Sequence, residues 1–274
     1  ENRAFCSFSS TGLNNMLSLL IFLRGREEIL LKAGILTMKR SSRELKALAR
    51  DTLANRYGSF IGTLIVYFLI VLGSNMLLTF AFPFRGTVIS SIIAWLASFI
   101  ITLIISVFSV GLIRFSLNMC RGEQYRLSDL FFGFRTHPDK IIIAQLILTL
   151  ISEICSLPVT IMDFMSSSNT LTLDELSFRS LVILACSFLN FVVTLGLHLT
   201  MYLLCDYDNL SAVQALRESW HLMHGNKGRL FYLSLSFFGI FLLGFLSCGI
   251  GFLWALPYWE ITFSYFYLDI IGEL

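Results

Sequence analysis

Three ionisable side chains lie inside long apolar stretches of the chain and are its best candidates for chemistry. These residues are Glu153, His198 and Glu260. A charged group at the centre of a membrane helix costs about 2.5–3.5 kcal/mol on insertion scales, so each of the three needs a structural or functional reason. Carboxyl and imidazole groups at one depth can relay protons or hold a cation, and the three therefore form a candidate intramembrane polar site.

The rise of a helix indicates which of these side chains can meet. At ~1.5 Å per residue from the charged end of each run, His198 lies about 12 Å deep, Glu260 about 13.5 Å and Glu153 about 19.5 Å. We therefore expect His198 and Glu260 to be level, although a kink at Pro257 would shift Glu260. The simpler alternative is that both acids are neutral and that all three residues form ordinary hydrogen bonds between helices.

Sequence motifs for other chemistries are absent. The chain has no GxSxG, no HExxH and no phosphate-binding loop, and His221 and His224 lack further ligands at metal spacing. We expect no enzyme activity, no catalytic residue, no cofactor and no metal. The six cysteines form no CxxC pair and fall mostly within or at the ends of apolar runs, which is typical of reduced, buried thiols.

The apolar stretches that carry these residues predict a membrane protein. Among 274 residues, 56% are hydrophobic and 14% are charged, whereas about 25% is usual in soluble proteins. A helix of about 20 residues crosses a hydrocarbon core ~30 Å thick, and a last run of twice that length breaks at 248–251. The predicted fold class is an all-α, polytopic helical membrane protein with about six transmembrane helices, at 59–82, 88–113, 141–162, 181–204, 230–247 and 250–268. Five spans with a re-entrant final segment is the alternative.

Basic residues are concentrated in alternate connections. Residues 38–57, 114–140 and 205–229 hold six, five and three Lys or Arg, against Arg85 and Arg179 in the other two loops. The positive-inside rule then predicts a multi-pass protein of the cell membrane with both termini in the cytoplasm. The expected partner is the lipid bilayer, and a net charge of +2 gives no reason to expect nucleic acid. A membrane-protein partner or a homo-oligomer stays open.

The domain organisation follows from the first apolar run. Residues 58–274 are the predicted helical transmembrane domain, and 38–57 a cytoplasmic amphipathic helix that begins with the capping box Ser41 to Glu44. Residues 1–37 contain only a short apolar stretch, so we interpret them as an N-terminal extension upstream of a native start at Met38. The alternative is an ordinary mobile or interfacial tail.

Two further amphipathic segments adjoin spans. One carries Leu127, Leu130, Phe131 and Phe134, and the other carries Val213, Leu216, Trp220 and Met223. Their i, i+3, i+4, i+7 spacing predicts helices that lie in the headgroup layer and hold neighbouring spans, or that dock a partner.

A weak internal repeat accompanies these segments. Gly111 precedes Cys120 as Gly196 precedes Cys205, and Leu-Ser opens the surface segment that follows in both halves. We therefore expect a repeated unit of span, surface helix and span.

Five short motifs occur in order along the chain: DLFFGF at 129–134, SWHLMHGNKGRLF at 219–231, GIGFLW at 249–254, LPY at 256–258 and FYLD at 266–269. Together they resemble the bacterial multi-pass membrane proteins of the domain of unknown function 975 family, over about residues 43–271. The resemblance implies an integral protein of the cytoplasmic membrane without an established activity. It supplies no catalytic residue.

These observations favour a non-enzymatic structural, accessory or lipid-organising protein. The alternative is a small-solute or amphiphile transporter that uses Glu153, His198 and Glu260. A transporter predicts a water-accessible cavity that joins the acids, and a scaffold predicts a closed, dry bundle.

Overall fold

The computed structural model describes residues 39–82, 88–165 and 173–274. Predictions on residues 1–38 and on the middle of the 163–180 loop therefore lie outside the described residues. Within the described ranges the chain forms helices and no strands, which confirms the all-α class. The elements are α1 Ser42–Leu53, α2 Tyr57–Ala81, α3 Val88–Arg121, the 3-10 helix Leu127–Phe131, α4 Phe132–Arg135, α5 Pro138–Met165, α6 Leu173–Leu197, α7 Thr200–Asp206, α8 Ala212–Leu222, α9 Lys227–Leu235, α10 Phe238–Leu246 and α11 Phe252–Ile271.

Within the described residues, five segments are long and apolar enough to cross a membrane. They are Tyr57–Ala81, Ile92–Arg121, Pro138–Met162, Leu176–Asp206 and Lys227–Leu246. The last predicted span, α11, is also a single helix of 20 residues, but most of its C-terminal half is buried within the protein. A helix that faces protein can carry polar residues that lipid would not tolerate, and α11 contains Glu260 and Asp269.

The buried core lies at one end of the bundle. We name this the basic end, formed by residues 39–57, 114–140 and 205–229 together with the C-terminal half of α11. The largest fully buried side chains include Tyr267, Phe60, Phe115 and Phe237. Toward the other end the side chains of α2 are exposed, and Phe80 is 80% exposed. Lipid is as apolar as these side chains, so their burial against protein gains little there.

The break predicted at 248–251 is present. It separates α10 from α11, and Cys248 and Gly249 adopt left-handed backbone conformations with φ of 53° and 91°. Lys46 in α1 donates a hydrogen bond to the Ser236 carbonyl at 2.8 Å. The first helix of the hairpin is therefore still at the basic end at Ser236, ten residues before α10 ends at Leu246. Gly249 shares a cavity with Phe68, near the middle of α2. The turn therefore lies beside the middle of α2, roughly 20 Å short of its far end.

This position predicts that Cys248 sits within the hydrocarbon layer. In a variant with Cys248 as its only cysteine, a membrane-impermeant maleimide should label it slowly from either side, and a permeant maleimide should label it readily. A cysteine at Asp208, which is exposed at the basic end, serves as the accessible control. Rapid labelling of Cys248 from the side opposite the basic end would mean that the hairpin crosses the membrane completely.

Helix α1 packs its apolar face into the bundle. The capping box between Ser41 and Glu44 is present, and Leu45, Ala49 and Leu53 are buried. The Thr52 hydroxyl lies 2.5 Å from the Tyr265 hydroxyl of α11. The helix Ser42–Leu53 thus buries its apolar face, and it covers the C-terminal half of α11.

The second and third surface segments differ from their predicted faces. Leu130 of the 3-10 helix is buried, but Leu127 is more than half exposed and Phe131 is also exposed. In α8 the buried face includes Ala215 and Ser219, while Trp220 is 41% exposed. Both segments still lie against the preceding span.

The two surface segments repeat one close contact. A Cβ on Gly111 would lie 2.1 Å from the Leu130 carbonyl oxygen, and a Cβ on Gly196 would lie 2.4 Å from the Trp220 ring. Each glycine thus receives the surface segment that follows its own span. This shared geometry supports the internal repeat.

Candidate ligand-binding site

The structure does not place the three sequence-predicted residues in one cavity. Glu153 is exposed on α5. His198 lies in the break between α6 and α7, where its ring is 5.3 Å from that of Phe263. Phe263 follows half-buried Glu260 by three residues on α11, so His198 and Glu260 lie at similar depth. The Tyr202 ring lies 6.1 Å from that of His198.

Hydroxyl groups stabilise the break at His198. An interrupted helix leaves carbonyl groups without their usual amide partners, which is costly within a membrane. The Ser219 hydroxyl of α8 donates to the Gly196 carbonyl at 3.1 Å, and the Thr200 hydroxyl donates to the Leu197 carbonyl at 2.7 Å. The break is therefore a supported feature of the fold.

Close packing of α8 on α6 holds this region. Because Gly196 has no side chain, the Trp220 ring rests on its backbone. The Lys227 ammonium group lies 3.5 Å from the centre of the same ring, which is a close cation–π contact. Gly196 belongs to the predicted repeat, and Trp220 and Lys227 belong to the motif at 219–231.

A cavity of about 370 Å³ lies between α5 and α6 beside the break. Its volume falls within the range of about 300–1,000 Å³ that is usual for ligand sites. The lining alternates polar groups with apolar walls: Gln145, Leu148, Thr149, Ile151, Ser152, Val193, Thr194, Leu197, His198 and Met201. The lining therefore contains hydrogen-bonding groups and hydrocarbon, but no carboxylate, ammonium or guanidinium group.

The polar groups around this cavity form long hydrogen bonds with one another. The Asn190 amide oxygen accepts from Ser152 at 3.4 Å and from Thr194 at 3.2 Å. The Gln145 amide donates to the Thr149 hydroxyl at 3.4 Å. Such bonds are longer than the usual 2.7–3.2 Å range or at its limit, so these groups can exchange their partners for a ligand at little cost.

His198 adds an unused hydrogen-bonding atom. Its Nε2 is buried and has no hydrogen-bond partner among the residues that the structure describes. An unpaired buried polar atom costs about 1–3 kcal/mol. Buried polar atoms are rarely left in this state. His198 lines the cavity, and a bound polar group would relieve the cost once the ring turns Nε2 toward the cavity.

Five of these polar residues were not predicted as site residues. Gln145, Thr149 and Ser152 follow one another at i, i+4 and i+7, and Asn190 and Thr194 at i and i+4. This spacing places each set on one face of its helix and was the available signal. No cluster of three metal-ligating side chains occurs in the described ranges.

A second polar cluster lies at the basic end and was also not predicted. Arg121 holds both oxygens of Asp206 at 2.7 Å, and the Tyr267 hydroxyl donates to the same carboxylate at 3.0 Å. Arg121 also contacts Glu273 at 2.8 Å. This ion pair explains why α3 continues to Arg121, beyond the predicted end near residue 113. All its groups are paired, so the cluster stabilises the fold.

Comparison with known proteins gives one match. The family model described as "Protein of unknown function (DUF975)" matches residues 38–273, which is most of the chain. No curated protein and no solved structure matches the chain.

Proposed function

Because the chain belongs to the DUF975 family, whose description assigns no activity, we propose a function from the cavity between α5 and α6. We propose that the protein is a non-enzymatic membrane protein that holds the uncharged polar part of an amphiphile, and so organises lipid-like molecules. This proposal is supported by the polar, uncharged lining of the cavity together with the unpaired Nε2 of His198.

The chemistry of the lining favours a neutral polar ligand. Ser152, Thr149 and His198 offer hydroxyl and imidazole groups, and Gln145 offers an amide, each able to bond an alcohol or amide of the ligand. An ionised head group would lose its water at this depth without gaining an opposite charge. The leucine, isoleucine and valine walls suit the hydrocarbon next to the polar group.

The arrangement favours binding over catalysis. A serine nucleophile needs a base within hydrogen-bond reach, but the Ser152 hydroxyl donates to Asn190. Glu153, next in the chain, is exposed and does not line the cavity. Among the residues that line the cavity, His198 is the one titratable group, and a single such group is suited to positioning a ligand.

The expected result is selective loss of ligand capture when the cavity becomes apolar. In vesicles of phosphatidylcholine that contain a photoreactive diacylglycerol, the double variant Thr149→Val, Ser152→Ala should crosslink about tenfold less than the natural protein, since two hydrogen bonds of about 0.5–1.5 kcal/mol are lost. Thr160→Val is the matched control, because Thr160 lies on the same helix outside the cavity and bonds only its own backbone. Equal capture by the cavity variant would refute the proposal.

A transporter is the second candidate, and the broken helix favours it. Discontinuous spans that line a cavity are a common construction of substrate sites in transporters, and His198 lies in such a break beside the cavity. The same vesicles separate the two functions. A transporter of amphiphiles would move a fluorescent glycolipid with an uncharged sugar head group between leaflets, where dithionite quenching detects it, whereas a holding protein would leave its distribution unchanged.

A further inference from the structure

An apolar slot lies on the other side of the bundle, between α2 and the hairpin of α10 and α11. It has a volume of about 410 Å³ and is lined by Leu64, Ile65, Phe68, Gly249, Phe252, Leu253 and Leu256. Every side chain in this lining is hydrocarbon. The slot is separate from the polar cavity, because it shares none of its residues.

The far end of the slot lies about one lipid leaflet from the start of α2. The lining reaches Phe68, and α2 begins at Tyr57, so the distance along the helix is roughly 16 Å. Half of a hydrocarbon core ~30 Å thick is about 15 Å. The hairpin turn at Gly249 closes the slot at this depth, where the acyl chain of a phospholipid ends.

Positive charge lies at the basic end of the slot. Arg50 on α1 is exposed and near Tyr57 and Tyr258, and the Tyr258 ring lies 5.0 Å from the Phe237 ring. Tyr258 is two residues from Leu256 in the slot lining, and Tyr57 begins the helix that supplies the opposite wall. Lys46, one turn before Arg50, donates to the Ser236 carbonyl and lies over the Phe237 ring. The position where a headgroup would sit is therefore cationic and carries hydroxyl donors.

These two charges oppose each other. Burial, and then the neighbouring Arg50, lower the pKa of Lys46 from its ordinary value. Asp51 is next to Arg50 in the chain, but its charge acts on Tyr265, on the side of α1 where Thr52 bonds that tyrosine. An anion between Lys46 and Arg50 would relieve their repulsion.

We propose that this slot binds one anionic phospholipid from the leaflet at the basic end, with an acyl chain between α2 and the hairpin and the phosphate at Arg50 and Lys46. Tyr57 and Tyr258 donate to the phosphate or ester oxygens. The bound lipid fills the space beside the hairpin and fixes its position against α2. This site differs from the proposed amphiphile cavity in both charge and location.

The test is lipid retention by the full-length protein, measured by native mass spectrometry after extraction from vesicles of phosphatidylglycerol and phosphatidylcholine. The natural protein should retain phosphatidylglycerol preferentially. Arg50→Gln should reduce that retention about fivefold, the effect of one basic residue near a lipid phosphate. Arg43→Gln is the matched control, because Arg43 is an exposed arginine at the start of the same helix. Equal retention by the two variants would overturn the proposal.

Filling the slot tests the acyl-chain contact independently of charge. Ile65→Trp should reduce retention of phosphatidylglycerol, while Leu69→Trp, on an exposed position of the same helix outside the slot, should not. Thermal unfolding of both variants separates loss of folding from loss of the site. If Ile65→Trp does not fold, Leu253→Trp repeats the test from α11. Unchanged retention by a folded slot variant would refute the acyl-chain site.

Discussion

Gly111→Ala is expected to destabilise the protein severely. The new Cβ would lie 2.1 Å from the Leu130 carbonyl oxygen and 2.6 Å from its Cα, and these backbone atoms cannot move aside as a side-chain tip can. Overpacking against side chains typically costs about 1–3 kcal/mol, and we expect at least the upper part of that range here. The midpoint of thermal unfolding in detergent, followed by tryptophan fluorescence, measures the effect.

Gly73→Ala is the matched control for this substitution. Gly73 lies within α2, and a Cβ there meets no atom within 4 Å. Alanine favours a helix over glycine by about 1 kcal/mol, so this variant should be as stable as the natural protein or slightly more stable. If both glycine variants unfold at one temperature, the close contact between α3 and the Leu130 segment is incorrect.

Asp206→Asn is expected to cost about 3 kcal/mol of unfolding free energy. The Asp206 side chain is 9% exposed and accepts two hydrogen bonds from Arg121 and one from Tyr267. Removing one charge of a buried pair typically costs about 3–5 kcal/mol, and we expect the lower end of that range because Arg121 keeps its contact with Glu273. Asparagine keeps the shape, so the measured difference reports the charge.

Asp208→Asn provides the comparison for this loss. Asp208 lies two residues away and is exposed, so the same change in net charge should alter stability by less than about 0.5 kcal/mol. Chemical denaturation in mixed micelles gives both values. A loss of the same size in the two variants would show that the effect comes from net charge and not from the Arg121 pair.

Predictions from spacing and composition succeeded where the reason was local. The runs that became α2, α3, α5 and α6 are long and apolar enough to cross a membrane, where a helix satisfies its own backbone hydrogen bonds. The Ser41 capping box and the break at 248–251 also depend on neighbouring residues alone, and both are present. The orientation of the termini stays a prediction from the positive-inside rule.

Residue spacing alone does not determine which side chains line the candidate site. Depth counting placed His198 and Glu260 at one level, and the structure agrees, but depth does not determine which way a side chain points. Glu153 is exposed, whereas Thr149 and Ser152, on the adjacent face of α5, line the cavity. Successive side chains of a helix point about 100° apart, so Ser152 and Glu153 face different directions. Which of them lines the cavity depends on where the neighbouring helix packs.

The sequence by itself determined that this chain is helical, lies in a membrane and belongs to one family, because apolar runs, caps and motifs are read along the chain. Only the tertiary structure decided that Gly111 and Gly196 receive the surface segments, that Asp206 pairs with Arg121, and that the hairpin turn stops beside the middle of α2. These contacts join residues distant in sequence. In lipid they depend on close packing and polar pairing between helices, for which hydrophobicity gives no signal.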